Sequence, residues 1–371
     1  MSTNWYEPTN AADIASPALL IYPERVAENI QHLIEIAGSV ERLRPHVKTH
    51  KLAQVVAMHQ ARGIDKVKCA TIAEAEMVAG CGVADVLWAY QPVGPNQQRL
   101  VQLVQQFPET RFGCLVDNET TARELSAKMA AAGVVVQVWI DIDNGNGRTG
   151  IVPGETAVNL AKYLFDSSSL QFAGLHVYDG QFGSLEIDER ITAANAAFSP
   201  VRSMVAELAA DGVAVPNIVA GGSPTFPVHA LQTDVDLSPG TYSLWDMGYG
   251  TKLSELPFIH AAVLLTRVVS KPSENRLCLD LGHKAVAAEN PIHNRVRFLN
   301  APDATYIDQK EEHLVIELPN GADFSVGDIL YGVPWHVCPT VALYQEANVI
   351  DANQTFVDRW PIVARNRRLA I

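Results

Sequence analysis

The stretch Leu43-Arg44-Pro45-His46-Val47-Lys48-Thr49-His50-Lys51 ends a short apolar run on a lysine, with histidine, threonine and a second lysine beside it. A lysine amine condenses with an aldehyde to form an imine, and neighbouring cations keep part of it neutral and nucleophilic. The same residues also describe a basic surface turn, and the stretch alone does not separate the two. Two glycine clusters lie further along, Gly221-Gly222-Ser223-Pro224-Thr225 and Pro239-Gly240-Thr241-Tyr242. Glycines let backbone N–H groups approach an anion, and the hydroxyls of Ser223, Thr225 and Thr241 can donate to it. An imine-forming lysine and a phosphate cradle at one mouth would suit pyridoxal phosphate, which carries an aldehyde and a phosphate.

Three further groups have chemistry-bearing residues. Asp141-Ile142-Asp143-Asn144-Gly145-Asn146-Gly147-Arg148-Thr149-Gly150 reads as a tight loop that either aims Arg148 inward or leaves it in a solvated salt bridge. In His176-Val177-Tyr178-Asp179-Gly180, strand alternation puts His176 and Tyr178 on one face, and Tyr178 could then meet a cofactor ring. In His336-Val337-Cys338-Pro339-Thr340, an imidazole and a thiol two residues apart on a strand would point the same way and suit zinc. Two ligands do not make a site, and such a pair also serves packing. His313 and Cys278 are possible further ligands. His46 and His50 read as neighbours of the lysine.

The elements that must position these groups alternate in type. Strand candidates are Leu43–Lys48, Val67–Thr71, Asp85–Tyr90, Arg111–Val116, Val134–Ile142, Leu170–Val177, Asn217–Ala220 and Asp234–Ser238. Helix-period segments fill most intervals. One opens with the capping pattern Thr71-Ile72-Ala73-Glu74, one is capped by Asp117, and a long one carries Ile191, Ala194, Phe198 and Val205. Eight alternating units predict an α/β fold, a (β/α)8 TIM-like barrel, with an open doubly wound sheet as the runner-up. In such a barrel the site lies at the C-terminal ends of the strands, where Lys48 and both glycine loops fall.

After Leu256 short β-rich runs take over: 261–269, 276–281, 296–299, 314–318, 329–333 and 341–345, with a turn at Pro319-Asn320-Gly321-Ala322. The expected organisation is a cofactor-binding barrel domain over 18–255 and a C-terminal all-β domain over 256–371. Residues 1–17 should pack against the latter. The formal charge of −13 and the lack of a Lys/Arg block argue against nucleic acid. Five widely spaced cysteines without a CxxC pair predict a reducing compartment. No signal peptide and no membrane span is read, so a cytoplasmic protein is expected.

Arg44-Pro45-His46-Val47-Lys48-Thr49-His50-Lys51 resembles the cofactor-lysine signature of the D-threonine aldolase and D-serine dehydratase family, within the alanine-racemase-like fold type of pyridoxal-phosphate enzymes. The likeness continues through Asp143-x-Gly145-x-Gly147-Arg148-x-Gly150, Gly174-Leu175-x-x-Tyr178-x-Gly180, both glycine loops, Asp280-x-Gly282-x-Lys284, Glu312-His313 and His336-x-Cys338-Pro339-Thr340. It implies a barrel with a β-domain and a homodimer acting on a small D-amino acid. It implies that Lys48 holds the cofactor, that Arg148 contacts the ring's phenolic oxygen and that Tyr178 lies by the ring. Gly222, Ser223, Thr225, Gly240 and Thr241 would lie near the phosphate, and His46 and Tyr242 complete the expected cofactor set. His336 and Cys338 match the family's divalent-metal ligands, with zinc favoured by the thiolate and manganese or magnesium as alternatives. Aldolases of the family tend to carry aspartate where this chain has Cys338, which leans the reading to dehydration of a β-hydroxy D-amino acid. Retro-aldol cleavage is the alternative. The chain departs from those aldolases in having Asp179 after Tyr178, where a histidine is common. A racemase would need a second base, for which Tyr306 and Tyr331 are candidates. A non-catalytic cofactor-binding barrel would lack the β-domain.

Overall fold

The computed structural model describes residues 4–319 and 323–371; Asn320, Gly321 and Ala322 of the expected turn lie outside them. In chain order the first elements are β1 (Ala18–Ile21), α1 (Pro23–Ala37), α2 (Ala53–Gln60), β2 (Lys66–Cys69), α3 (Ile72–Gly80), β3 (Asp85–Trp88), α4 (Pro95–Gln106), β4 (Arg111–Val116) and α5 (Glu119–Ala132). Then come β5 (Val136–Ile142), α6 (Glu155–Phe165), β6 (Leu170–Val177), α7 (Ile187–Ala210), β7 (Ile218–Ala220), α8 (Phe226–Ala230), β8 (Val235–Leu237) and α9 (Met247–Lys252). The C-terminal elements are β9 (Ala262–Ser273), β10 (Arg276–Leu279), β11 (Val296–Phe298), β12 (Thr305–Gln309), β13 (Leu314–Glu317), β14 (Ile329–Pro334), α10 (Val337–Val341), β15 (Glu346–Ile350) and β16 (Phe356–Pro361).

Two compact units result. The first comprises 33–48, 56–240 and 366–371, and the second the chain up to His32, 49–55 and 241–365. This differs from the expected boundary at residue 18. β1 pairs antiparallel with β9 and parallel with β15, so its backbone groups are satisfied in the β-rich unit.

In the barrel unit, β2 to β8 form a parallel sheet in sequence order. The eighth stave, expected as the strand Leu43–Lys48, is not a regular strand. It closes the circle through single bridges, Leu43 to Leu237 and His46 to Lys68. Pro45 has no N–H to offer a ladder and lies between them. The amides of Arg44 and His46 bond to Leu237 and Pro239, while Val47 bonds to Lys68 and Lys68 back to Pro45.

The barrel is charged at both ends. At the N-terminal ends of the strands, buried Arg44 meets Asp85 at 2.5 Å and Asp236 at 3.5 Å, and Lys66 meets Asp236 at 2.8 Å. An apolar layer of Leu87, Leu115, Trp139, Ala173 and Val219 lies next. Charged side chains then return at the C-terminal ends.

The helices start where their caps dictate. Thr71 Oγ1 accepts from the Glu74 amide at 3.1 Å, while Glu74 Oε2 accepts from Ala70 N at 2.6 Å, one residue earlier than a capping box would have it. α5 is capped by Asn118, which accepts from Thr121 N at 2.8 Å, and not by Asp117. The buried face of α7 is Ala194, Phe198, Val201, Met204 and Leu208, with Ile191 exposed and Val205 only half-buried.

In the β-rich unit, among the described residues, β12-β13-β10-β9-β1-β15-β16 form a continuous path, and β14 joins β9 to β11. The expected strand over 341–345 is absent. Val341 ends α10, and the next strand begins at Glu346. No helix among the described residues is long and apolar enough to cross a membrane.

Candidate active site

Lys48 stands just past the barrel's closing segment, half-buried, with its amide 3.4 Å from His46 Nδ1. It lines a cavity of about 600 Å³ together with His46, Asp117, Asp141, Arg148 and Thr149. That volume suits a small-molecule ligand. The loop after β5 is folded by Asp143, whose Oδ1 accepts from the amides of Gly145 and Gly147, both at 3.0 Å. The turn brings the Arg148 guanidinium 4.8 Å from the Tyr178 ring centre. The ring itself lies close to two glycines. A Cβ on Gly222 would stand 3.0 Å from its Cε2, and a Cβ on Gly180 would overlap its hydroxyl.

Under this mouth is a group that the sequence reading missed. Lys68, at the end of β2, is buried, and its Nζ lies 3.4 Å from His176 Nε2. His176 Nδ1 lies 2.7 Å from Asp141 Oδ1. With Nδ1–H donating to Asp141, Nε2 is left to accept from Lys68. Burial and the nearby Lys48 amine pull the Lys68 amine down to about 7. Burial and Lys68 lower His176. Burial opposes the Asp141 charge, but hydrogen bonds from His176 and Thr149 and the charge of Arg148 outweigh it and hold that carboxyl below its usual range. The signal was a lysine inside a strand otherwise buried on both faces, where charge is expensive unless it is used.

Gly221 follows β7 at φ 79, a conformation that favours glycine, and a Cβ there would press on the Phe226 backbone at 2.8 Å. Ser223 and Thr225 are both buried. The Thr225 hydroxyl donates to Asp179 and accepts from Gly222 N at 3.2 Å. Asp179 is fully buried and also takes His229 Nε2 at 2.6 Å, so its side chain is turned into the protein. Gly240 ends the barrel unit's segment after β8.

The metal motif is built in the β-rich unit. His336 is not on a strand: it is the N-cap of α10, with Cys338 in the first turn. The two side chains nevertheless meet in a hydrogen bond. Asp246 fixes the start of α10 by accepting from Val337 N at 3.0 Å while capping α9 through Tyr249 N at 2.9 Å. Burial pushes the Asp246 carboxyl up to about 6. Cys338 Sγ has Thr49 Oγ1 at 3.2 Å and Thr241 Oγ1 at 3.8 Å. Thr241 and the buried Tyr242, whose ring packs 5.7 Å from Phe258, thus belong to this unit. The side chain at His336 Nδ1 is Glu289, at 2.6 Å, and not Cys278 or His313. No cluster of three or more His, Cys, Asp or Glu among the described residues is arranged to hold a metal ion. Burial disfavours the His336 cation, yet Cys338, Glu289 and Asp246 override it and raise the imidazole to about 9.

Both expected groups fit these residues. A lysine and an arginine line a ligand-sized cavity, and Gly221 and Gly222 stand where a side chain would press on Phe226 or Tyr178. A nitrogen and a sulfur donor touch where the surroundings favour positive charge. The racemase candidates fit less well. Tyr306 donates its hydroxyl to the Val296 carbonyl, Tyr331 is buried against Tyr6, and burial pushes both phenols up to about 12.

Residues 21–243 match the family described as alanine racemase, N-terminal domain, and residues 261–350 match the family described as a serine dehydratase domain. Enzymes of the alanine-racemase-like family use pyridoxal phosphate. A D-threonine aldolase of an Arthrobacter species is 29% identical, over 87% of this chain and 85% of that protein. The D-threo-3-hydroxyaspartate dehydratase of a Delftia species, strain HT23, is 26% identical over 93% of this chain and 96% of its own length. Solved structures of that dehydratase include one with a histidine changed to alanine, and a metal-free one with a cysteine two positions further on changed to alanine. The crystal structure of D-threonine aldolase from Filomicrobium marinum superposes with a TM-score of 0.89 at 28% identity, covering 98% of each chain.

Proposed function

The chain belongs to the alanine-racemase-like family of pyridoxal-phosphate enzymes, and from that membership we propose a lyase that dehydrates β-hydroxy D-amino acids to a 2-oxo acid and ammonia, with a divalent metal. The observation that carries the dehydratase reading is Cys338 in contact with His336. The similar dehydratase has been altered at a histidine and a cysteine with the same spacing.

In this reading Lys48 holds the cofactor, with His46 and Arg148 lining the same cavity. Gly222, Ser223, Gly240, Thr241 and Tyr242 are proposed to line the phosphate, with the Ser223 hydroxyl as a donor to it. His336 and Cys338 hold the metal, and the thiolate favours zinc over manganese or magnesium. When bound, the cofactor supplies an electron sink for charge at Cα, and the metal a Lewis acid for the β-hydroxyl. The Lys48 amine would act as the general base that takes the Cα proton. The Tyr178 ring, beside Gly222 and near Arg148, is proposed to lie by the cofactor ring. The functional division of the chain is a cofactor-binding barrel and a metal-bearing β-domain, and the assembly is a homodimer.

Retro-aldol cleavage to glycine and an aldehyde is the second reading, favoured by the likeness to D-threonine aldolases. One assay separates the two. D-threonine should yield 2-oxobutanoate, whereas acetaldehyde and glycine would establish the aldolase. D-serine and D-3-hydroxyaspartate, each tested with and without zinc, identify the preferred β-substituent. Lys48→Ala should abolish the yellow absorbance of the loaded enzyme, and an unchanged spectrum would sink the cofactor assignment.

A further inference from the structure

Tyr178 and Asp179 are neighbours with opposite directions. Tyr178 is half-buried with its ring against Gly222 and Arg148 near it. Asp179 is fully buried, as are Thr225 and His229 on α8 and just before it. Both Asp179 oxygens are used. One accepts the Thr225 hydroxyl, and the other lies 2.6 Å from His229 Nε2. Thr225 then closes the loop on itself, accepting Gly222 N through its hydroxyl at 3.2 Å and donating its own amide to Gly222 O at 3.1 Å. His229 is oriented in turn. Gln232 Nε2 lies 3.4 Å from its Nδ1, which puts the ring proton on Nε2, facing Asp179. Phe198 of α7 packs its ring 4.9 Å from the imidazole.

We propose that Asp179, with His229 and Thr225, is a buried brace that fixes the glycine loop 221–225 against the end of β6, and that it positions the cofactor's phosphate and takes no part in binding substrate. This rests on the reading of the barrel mouth as the pyridoxal-phosphate site. A carboxylate accepts on both of its oxygens, as here, whereas an asparagine or a histidine at 179 has at most one acceptor atom. An asparagine turns one acceptor into a donor, leaving either the Thr225 hydroxyl or the His229 N–H without a partner in a dry site. The brace also explains why the Thr225 hydroxyl is a poor candidate for direct contact with phosphate. Its proton is committed to Asp179, and its lone pair to Gly222. The Gly222 N–H is likewise committed to the Thr225 hydroxyl, so Ser223 is the loop's proposed contribution to the anion.

The test is cofactor binding. Wild-type apoenzyme is titrated with pyridoxal phosphate by absorbance, and the bound phosphate is followed by its ³¹P NMR shift. If wild type takes up no cofactor, the functional reading fails and the brace fails with it. If wild type binds, Asp179→Asn should weaken binding by about 10- to 100-fold, the range that one unpaired buried donor implies. It should also move the ³¹P shift, with the substrate KM unchanged at saturating cofactor. Thr225→Val should do the same and Thr225→Ser should restore binding, a comparison that decides the matter even if Asp179→Asn does not fold. Wild-type affinity and an unchanged ³¹P shift in Asp179→Asn and Thr225→Val would overturn the proposal. So would a raised substrate KM with cofactor affinity intact, which would make Asp179 a substrate group.

Discussion

Lys68 brings a second amine to the barrel interior, 3.4 Å from His176 Nε2. Its amine is buried between the Lys48, His176 and Asp141 side chains and is lowered to about 7, against about 10.4 for an exposed lysine. Above about pH 10.4 the amine is neutral in both folded and unfolded chains. As the pH falls towards 7 the unfolded chain gains a proton that the folded one refuses, so folding is penalised, and below 7 the penalty is fully present. Lys68→Met should therefore raise Tm most near pH 6 and progressively less towards pH 9, as read by thermal melts of the apoprotein. An equal gain at every pH would mean that Lys68 is not titrating. Lys48 was legible because its neighbours are chemically unusual together. Lys68 was not, because Lys66-Val67-Lys68-Cys69 looks like any short strand until the register puts residue 68 inside the barrel beside His176. Asp179 had no role in the sequence for the same reason, since only packing reveals that its side chain faces Thr225 and His229.

At the scale of elements, alternation located β2 to β8 to within a few residues, because a two-sided buried strand and a one-sided helix differ in period. It failed where short-range chemistry decides. Asn118 captures the cap of α5 from Asp117, and Asn118→Ala should cost about 1 kcal/mol in a denaturant melt. The His-x-Cys motif lies at a helix start and not on a strand because Asp246 and Thr340 secure the first turn, the latter by donating to the His336 carbonyl at 2.8 Å. Gly174 is the sharpest case. It adopts φ 132 at the irregular register between β5 and β6, and a Cβ there would overlap the Asn217 carbonyl. Gly174→Ala should destabilise the barrel by about 3 kcal/mol or more, through strain and overpacking together. A loss below 1 kcal/mol would show that β6 and β7 can separate freely.

For the whole molecule, the metal and the cofactor should be separable. Chelation should remove lyase activity while the yellow absorbance stays. Loss of both together would make the metal structural. A homodimer is expected, and light scattering at the mass of one chain would refute it. The barrel's closure has a consequence of its own. Its eighth stave is joined on each side by a single bridge and a few amide bonds, whereas β5 and β6 share seven paired positions. Opening of a fold begins where fewest bonds must break together. In hydrogen–deuterium exchange the amides of Arg44, His46 and Val47 should therefore trade with solvent sooner than those of β5, and filling the cavity beside Lys48 should slow them. The reactive lysine would then be carried by the part of the barrel that breathes first, and ligand occupancy could be followed by watching that seam fall quiet.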